Sequence, residues 1–333
     1  MGRASPRGSD SHARPDEVYL KQKELMTSFT RRDFLKVGGV ALAASALPSQ
    51  VPAEGISPPS PRKKRDLKKG IMWGCIPGAM SVMDKFKMVL EAGFEGVEID
   101  GSLDRAEVLK ARDATGLRIP TVVCARHWTH SLSDPNPAVR QAGLEALKTA
   151  LRDGREYGSS SVLFVPAVVK KEVSYQQAYL RSQTELKKVV PLAEDLNVKI
   201  AIENVWNNFL LSPLEAARYV DEFNSPSLAW HFDVGNCINI GWPEHWIQIL
   251  GNRIHKLHIK EYSRKKRDAE GLWKGFEVEY LQGDNDWPAV MQTLDEIGYK
   301  GWATAEPAYR PPGVDGPSRL RQVAQKLDEI FLL

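Results

Sequence analysis

The chain has 333 residues, of which 42% are hydrophobic and 26% are charged, and this apolar content is enough to bury a substantial core. The net charge of +3 is unevenly distributed, because residues 1–69 carry a net charge of +7 and residues 70–333 a net charge of −4. A mildly acidic folded region argues against a nucleic-acid partner, and a small polar substrate is expected instead.

The N-terminal region has the pattern of an export signal. Arg31 and Arg32 precede a short apolar run at residues 37–47, and small residues follow that run. Paired arginines before such a segment resemble the twin-arginine signal of bacteria. The run is too short to span a bilayer, which needs about 20 apolar residues. We expect a twin-arginine-type export signal over residues 1–53, a solvated linker over residues 54–69, and a periplasmic or secreted mature protein outside the membrane. A basic tail with accidental spacing is the alternative.

From residue 70 onward, strand-like and helix-like segments alternate regularly. Strands are predicted at 70–75, 96–100, 119–124 and 162–167, and four more end at or near residues 203, 233, 258 and 306. Helices are predicted at 82–92, 105–115, 137–157, 175–196, 213–223, 243–250, 286–297 and 317–331. Eight such units predict an α/β fold, a single (β/α)₈ TIM barrel over residues 70–333. A doubly wound open sheet is the competing architecture.

The motifs of several common enzyme classes are missing. The chain has no Walker loop, no GxGxxG after its first strand and no GxSxG, which disfavours nucleotide-cofactor and serine-hydrolase functions. Its cysteines, Cys75, Cys124 and Cys237, lie far apart and are expected to be buried free thiols. Gly116 and Gly158 follow predicted helices, where a residue with positive φ is often needed.

Four apolar runs in the second half end at or near residues that can bind a metal: Glu203, Asp233, His258 and Glu306. The C-terminal ends of parallel strands converge in a barrel, so we expect these side chains to surround one divalent cation. Carboxylate oxygens favour Mn²⁺ or Mg²⁺, and the histidine also suits Co²⁺ or Zn²⁺. A cation that polarises a sugar carbonyl would allow Glu203 and Glu306 to exchange a proton through an enediolate.

Six motifs occur in one combination: GFEGVEID at 93–100, IEN at 202–204, FDVGN at 232–236, LHIKEYSRKK at 257–266, GDNDWPAV at 283–290 and IGYKGWATAE at 297–306. With them, residues 70–332 resemble the sugar-phosphate isomerase/epimerase superfamily of xylose-isomerase-like barrels, which includes ketose 3-epimerases, hydroxypyruvate isomerases and metal-dependent apurinic endonucleases. The resemblance implies the same four metal ligands, with the two glutamates exchanging the proton. It also implies a substrate-contacting arginine at Arg264.

The chain departs from the epimerase pattern at two positions. Asn236 stands where such epimerases usually carry a substrate-binding histidine, and Phe209 stands where they have an acid. An amide can donate a hydrogen bond to a sugar oxygen but cannot shuttle a proton near neutral pH. Asn236 is therefore expected to bind substrate, and the substrate itself is left open.

Five further residues are candidates for substrate binding. His127 and Glu98 follow or end predicted strands and could contact sugar hydroxyls, although either could equally have a structural role. Lys260 lies two residues after His258 and could stabilise enolate charge. Trp73 and Trp206 could stack on a sugar face, although tryptophans more often fill space in a core.

The sequence therefore predicts a metal-dependent isomerase or epimerase acting on a ketose-type sugar, and outside the cytoplasm a free sugar is favoured over a phosphorylated one. One alternative is a lyase or hydrolase that cleaves keto-sugar glycosides with the same site, and another is a non-catalytic carbohydrate-binding barrel. The endonuclease function is disfavoured, because residues 70–333 are net negative. The expected partner is a small carbohydrate, without nucleic acid, and a homo-oligomer is compatible with the sequence.

Overall fold

Eight parallel strands form a closed barrel in the computed structural model, which describes residues 65–333. The strands are β1 (Leu67–Met72), β2 (Gly96–Asp100), β3 (Thr121–Val123), β4 (Ser161–Phe164), β5 (Lys199–Glu203), β6 (Leu228–Asp233), β7 (Ile254–Ile259) and β8 (Gly301–Ala305). Each strand pairs with the next, and β8 closes the barrel against β1, with Leu67 opposite Gly301 and Ile71 opposite Ala305. The predicted TIM barrel is confirmed, and the doubly wound alternative is wrong.

Helices connect the strands and cover the outside of the barrel. Within residues 65–333 they are α1 (Val82–Glu91), α2 (Arg105–Thr115), α3 (Pro137–Tyr157), α4 (Tyr175–Lys187), α5 (Val190–Leu196), α6 (Pro213–Asp221), α7 (Val234–Ile238), α8 (Pro243–Leu250), α9 (Arg264–Glu270), α10 (Trp287–Glu296) and α11 (Gly316–Phe331). Short 3₁₀ helices occur at Trp73–Cys75, Gly251–Arg253 and Leu272–Phe276. Gly116 and Gly158 end α2 and α3 with φ values of 73° and 75°, as predicted.

Several elements differ from the sequence-based prediction: α7 and α9 were not predicted, β3 and β4 are shorter than expected, and the first strand and the helix at 175–196 have other bounds. Strand β1 begins at Leu67 instead of residue 70, and the second half of the predicted strand is a 3₁₀ helix. The predicted helix at 175–196 is two helices, α4 and α5. Pro191 explains this break, because proline lacks the N–H that a continuous helix needs and its ring clashes with the preceding turn.

Alternating side chains of the strands face either the helices or the barrel interior. Phe232 of β6 stacks on Trp246 of α8 with ring centroids 6.4 Å apart, so it faces the helix layer. Its neighbours His231 and Asp233 therefore point into the barrel. The same alternation places hydrophobic residues in the layer under the helices and leaves polar groups at the C-terminal end of the interior.

The predicted export signal and most of the linker lie outside the described residues. Across residues 65–333, no helix is long and apolar enough to cross a membrane. Cys124 and Cys237 are buried free thiols, as expected. Cys75 is only half-buried, because it ends the 3₁₀ helix after β1 instead of lying within a strand.

Candidate active site

The four predicted metal ligands lie together at the C-terminal end of the barrel. Glu203 and Asp233 are the last residues of β5 and β6, His258 is on β7, and Glu306 directly follows β8. One ligand atom from each of these side chains lies within 4.8 Å of the others. The fold therefore brings residues from four different strands to one point.

The imidazole of His258 is held from both sides. Its Nδ1 lies 2.9 Å from Oε1 of Glu203, 3.1 Å from Oε2 of Glu306 and 3.8 Å from Oδ2 of Asp233. Its Nε2 lies 2.7 Å from Oε1 of Glu98, a fully buried carboxylate. A histidine that donates one ring N–H to a carboxylate presents the other nitrogen as a metal ligand. Glu98 thus directs Nδ1 toward the three carboxylates.

Asp233 is fixed by two asparagines. The side chain of Asn204 accepts a hydrogen bond from the backbone N–H of Asp233 at 2.9 Å and donates one to its carbonyl at 2.7 Å. The backbone N–H of Asn236 donates to Oδ1 of Asp233 at 2.7 Å, because Asp233 caps the N-terminus of α7. With Oδ1 occupied, Oδ2 is the oxygen that faces the cluster.

The charges in the cluster are strongly coupled. Burial raises the pKa of Glu203, and it raises the pKa of Asp233 to about 8. Burial alone would also raise the pKa of Glu306, but Lys260 and His258 outweigh it and lower that pKa below its ordinary value. Burial would lower the pKa of Lys260, yet the carboxylates of Asp233 and Glu306 hold it above its usual range.

The donor set fits a divalent cation. Three carboxylates, two of them buried and that of Glu306 half-buried, crowd around one point, and Lys260 offsets only part of their charge, with its Nζ 2.7 Å from Glu306 and 3.5 Å from Asp233. Buried carboxylates without sufficient positive charge are costly, so a cation would relieve their repulsion. Three carboxylates and one imidazole suit Mn²⁺ or Mg²⁺, and the imidazole also suits Co²⁺ or Zn²⁺.

A cavity of about 220 Å³ opens directly above these ligands. Its lining residues are Met72, Val123, His127, Trp128, Leu163, Glu203, Val205, Trp206, Asn236, Lys260, Trp273, Phe276 and Glu306. Of the four predicted metal ligands, Glu203 and Glu306 line this cavity, whereas Asp233 and His258 do not. The two glutamates are therefore the ligands that a bound molecule can reach.

Four of the predicted substrate-binding residues line the same cavity: His127, Asn236, Lys260 and Trp206. The backbone N–H of Val165 donates to Nδ1 of His127 at 3.3 Å, which leaves the proton of the neutral ring on Nε2. Burial lowers the pKa of His127 to about 4. Near neutral pH, His127 is thus a neutral hydrogen-bond donor.

Three other predicted substrate-binding residues do not line the cavity. Glu98 lies beneath His258 and is fully buried. Arg264 turns away, because its guanidinium donates to the carbonyls of Ile238 and Gly241 at 3.0 and 2.7 Å. Trp73 packs against Phe86 with ring centroids 6.4 Å apart. The structure gives these three side chains positioning or packing contacts.

Several residues near the site were missed from the sequence. Trp128, Trp273 and Phe276 line the cavity on connecting segments, where no periodic pattern marks them. His231 is fully buried beside His258, with ring centroids 4.2 Å apart, and neither of its ring nitrogens has a hydrogen-bond partner. His231 precedes Asp233 by two residues, and this strand periodicity is a signal that could have placed it inside the barrel.

A larger open groove of about 550 Å³ lies at the opposite end of the barrel, where β5 and β6 begin at Lys199 and Leu228. Its cations are already engaged. Lys199 donates to the carbonyl of Pro226, and Arg253 pairs with the carboxylate of Asp221 at 2.6 Å. Because the carboxylate and histidine cluster lies at the other end, we place the chemistry in the smaller cavity.

Comparison with known proteins finds a matching family and several similar sequences. Residues 86–330 match the family described as xylose isomerase-like TIM barrel. L-ribulose-5-phosphate 3-epimerase of Salmonella paratyphi A is 24% identical over 257 residues, which cover 71% of this chain and 86% of that protein. An uncharacterised protein of Methanocaldococcus jannaschii is 28% identical over 185 residues, covering 52% of this chain and 61% of that protein.

Solved structures share the fold. The apo structure of 3-keto-D-glucoside 4-epimerase from E. coli superposes with a TM-score of 0.67 at 18% identity, covering 79% of this chain and 99% of that one. A structure of L-ribulose 3-epimerase has a TM-score of 0.66 at 17% identity, covering 80% of this chain and 94% of that one.

Residues 28–48 match the signal sequence of the twin-arginine translocation pathway, so the predicted export is confirmed.

Proposed function

The chain belongs to the xylose isomerase-like TIM barrel family, and from this premise we propose that it is a divalent-metal-dependent isomerase or epimerase of a ketose-type sugar. One observation carries the proposal: Glu203 and Glu306 are at once members of the ligand cluster and part of the cavity lining. Two carboxylates that reach the same bound sugar can remove a proton from one carbon and deliver a proton to the same or a neighbouring carbon. The relatives named as sugar epimerases support this assignment.

The proposed cation site consists of Glu203, Asp233, Glu306 and Nδ1 of His258. A divalent cation bound there would supply Lewis-acid polarisation of the sugar carbonyl and so acidify the neighbouring C–H bond. Asp233 and His258 lie behind the cavity, so we assign them to cation binding alone. Glu98 and Asn204 hold these two ligands in place through the hydrogen bonds described above.

The proton moves between the sugar and the two glutamates. One glutamate accepts the proton from the carbon next to the carbonyl, which leaves an enediolate. The other glutamate donates a proton to the opposite face of that carbon for epimerisation, or a proton is returned to the adjacent carbon for isomerisation. The ammonium of Lys260 lies 2.7 Å from Oε1 of Glu306, so it can offset the negative charge that develops on the sugar oxygens.

Other lining residues orient the sugar. His127 offers a neutral Nε2–H donor, and Asn236 lines the cavity while its amide nitrogen donates to the carbonyl of Asn204 at 3.0 Å. One of its two amide N–H groups is thus engaged, so the other N–H and the side-chain oxygen of Asn236 remain for a sugar hydroxyl. The apolar members of the lining exclude water from the carbon that loses its proton.

The test is solvent proton exchange. The protein loaded with Mn²⁺ is incubated in deuterated water with a panel of ketoses and 3-keto glycosides, and deuterium at the carbon next to the carbonyl is measured by NMR and mass spectrometry. We expect incorporation with at least one sugar, and loss of incorporation after chelation of the metal. Conservation of mass identifies isomerisation, whereas release of an aglycone identifies the lyase or hydrolase alternative.

Matched variants complete the test. Glu203→Gln and Glu306→Gln should each lower the exchange rate by about 10²-fold or more, since each removes a general acid or base. Glu156→Gln alters an exposed glutamate far from the cluster and should leave the rate unchanged. If the Glu203 and Glu306 variants bind sugar normally and no sugar exchanges deuterium with any protein, the barrel is a carbohydrate-binding protein and the proposal is wrong.

A further inference from the structure

Two tryptophans at the mouth of the cavity remain in solvent. Trp273 is 68% exposed and Trp128 is 51% exposed, and both line the cavity that contains Glu203 and Glu306. Each Å² of apolar surface that a ligand removes from water contributes about 25 cal/mol of favourable free energy. When exposed aromatic side chains gather at a pocket, they usually mark a surface that a ligand covers.

The exposed ring of Trp273 belongs to a packed aromatic cluster. Its centroid lies 4.8 Å from that of Trp206, and Trp206 lies 4.8 Å from Phe276. The indole N–H of Trp206 donates to the carbonyl of Asn236 at 2.9 Å, which fixes the ring at the centre of the cluster. Trp128 lines the same cavity and packs against His127, and we call these three rings together with Trp128 the aromatic platform. Because Trp206 is already fixed, little ordering is required when a ligand stacks on the cluster.

The segment that carries Trp273 is anchored as well. The hydroxyl of Tyr262 donates to the carbonyl of Leu272 at 2.9 Å. Gly275 packs so closely on the same ring that a Cβ atom there would lie 2.5 Å from Tyr262. Trp273 is therefore held over the cavity by the fold of this segment, although its own ring is exposed.

The cavity offers no unengaged cation for a phosphate group. Lys260 is the only Lys or Arg in the lining of this cavity, and its Nζ already lies 2.7 Å from Glu306 and 3.5 Å from Asp233. Arg264 is directed away, to the carbonyls of Ile238 and Gly241. The charge distribution therefore favours a neutral substrate.

The acidic end and the aromatic end of the cavity adjoin each other. The ammonium of Lys260, next to Glu306, is 4.9 Å from the ring centre of Phe276. The volume of about 220 Å³ is below the ~300–1,000 Å³ typical of sites for larger ligands. If a sugar ring reaches the two glutamates, a group attached to it has to lie toward the open part of the cavity, and Trp273 and Trp128 are the exposed aromatic residues of that lining.

Resting on the proposed function, we propose that the substrate is a neutral glycoside whose reacting keto-sugar carries a second ring, and that this ring binds the aromatic platform. The second ring is a sugar or an aryl group, since both present a flat apolar face that stacks on tryptophan. This subsite would distinguish the chain from an enzyme for free or phosphorylated ketoses.

Calorimetry with unreactive glucosides tests the subsite without relying on turnover. The Mn²⁺-loaded protein is titrated with methyl β-D-glucoside, phenyl β-D-glucoside and cellobiose. We expect at least one of the two-ring ligands to bind about tenfold or more tightly than the methyl glucoside, and Trp273→Ala to abolish most of that preference. Trp128→Ala is the second variant and tests the other exposed ring of the platform in the same way. The ligand that binds more tightly, phenyl β-D-glucoside or cellobiose, identifies the second ring as an aryl group or a sugar.

Trp242→Ala is the matched control, because Trp242 is 55% exposed but lies outside the cavity lining. It should bind every ligand as the unmodified protein does. The inference is overturned if the methyl glucoside binds as well as both two-ring ligands, if none of the three binds, or if Trp273→Ala and Trp128→Ala leave the preference unchanged. Failure of the proposed chemistry is seen separately, as absence of deuterium exchange in a protein that still prefers two-ring glycosides.

Discussion

Oε1 of Glu98 on β2 lies 2.7 Å from Nε2 of His258 on β7, so a residue three strands away around the barrel sets the direction of the imidazole that we propose as a metal ligand. The contact is completely buried, with Glu98 and His258 both almost inaccessible to solvent. A carboxylate in this position fixes the tautomer and the ring orientation of a ligating histidine and increases its basicity. The proposed cation site would therefore depend on Glu98, which does not line the cavity.

Glu98→Gln should weaken cation binding while the barrel still folds. The amide keeps the size of the side chain but loses the negative charge that makes His258 a strong ligand. We expect the affinity for Mn²⁺ to fall by about 10- to 100-fold, measured by calorimetry, with an unchanged circular dichroism spectrum. Glu95→Gln, three residues earlier on the exposed surface, is the control. Equal Mn²⁺ affinity in both variants would contradict the positioning role.

His127→Ala should weaken sugar binding without changing how the rate depends on pH. Burial lowers the pKa of His127 to about 4, so the ring is already neutral throughout the range from pH 5 to 8. Loss of one neutral hydrogen bond costs about 1 kcal/mol, or roughly a fivefold rise in KM. Steady-state kinetics with a sugar that exchanges deuterium, at several pH values, measures both quantities. A shifted pH optimum in the variant would show that His127 moves a proton.

Asn204→Ala should destabilise the protein strongly. The side chain of Asn204 accepts from the backbone N–H of Asp233 and the indole N–H of Trp230 and donates to the Asp233 carbonyl. Truncation leaves these buried groups without partners, and we expect a loss of about 3 kcal/mol in the free energy of unfolding. Urea denaturation measures it. Asn239→Ala removes one half-buried contact to Arg267 and should cost less than about 1 kcal/mol.

Glu261 should make the stability of the protein fall as the pH rises. Burial raises the pKa of Glu261 from 4.5 to about 7, although the indole N–H of Trp287 and the backbone N–H of Leu281 act in the opposite direction. Between these two values the native state retains a proton that the unfolded chain has released. The stabilising contribution of Glu261 to the free energy of unfolding is therefore largest below pH 4.5. It declines between pH 4.5 and about pH 7 and stays constant at higher pH.

The measurement compares urea unfolding of Glu261→Gln and the unmodified protein at pH 4.5, 6 and 7.5. Glutamine cannot ionise, so its free energy of unfolding does not include this loss. From pH 4.5 to 7.5 the free energy of unfolding of the variant should therefore rise relative to that of the unmodified protein, by up to about 3 kcal/mol. Glu277→Gln, at an exposed ion pair with Lys274, is the control and should show no such trend. A constant difference between Glu261→Gln and the unmodified protein would mean that Glu261 is already ionised at pH 4.5.

The strand order and the ligand cluster could be predicted because they follow from local patterns. Short apolar runs that end on Glu203 and Asp233 specify both the strands and the edge to which those side chains are delivered. Once the strands are parallel and the barrel closes, their C-terminal ends have to meet. Helices α2, α3 and α8 have the predicted bounds for a similar reason, since each has a capping residue, proline or glycine at its ends.

Side-chain directions on the connecting segments could not be predicted. Arg264 follows β7 and was expected at the substrate, but it caps carbonyls after α7 and stacks over Trp242 at 5.1 Å. Trp273 reaches the cavity only because the segment around Tyr262 and Gly275 folds back on itself. These contacts join residues on connecting segments outside the strands. The alternation of apolar and polar residues that predicts strands and helices does not extend to such segments.

Because the first strand closes the barrel, proteolysis of the exported protein can remove only residues that precede this strand. Strand β8, which leads directly to Glu306, pairs with β1 from Leu67 onward, and the backbone N–H of Gly301 donates to the carbonyl of Asp66 at 3.0 Å. A protease that removed the leader together with the residues after Asp66 would leave β8 with an unpaired edge and would loosen Glu306. Maturation of the exported form must therefore stop before Leu67 if the cluster of carboxylates and histidine is to stay assembled.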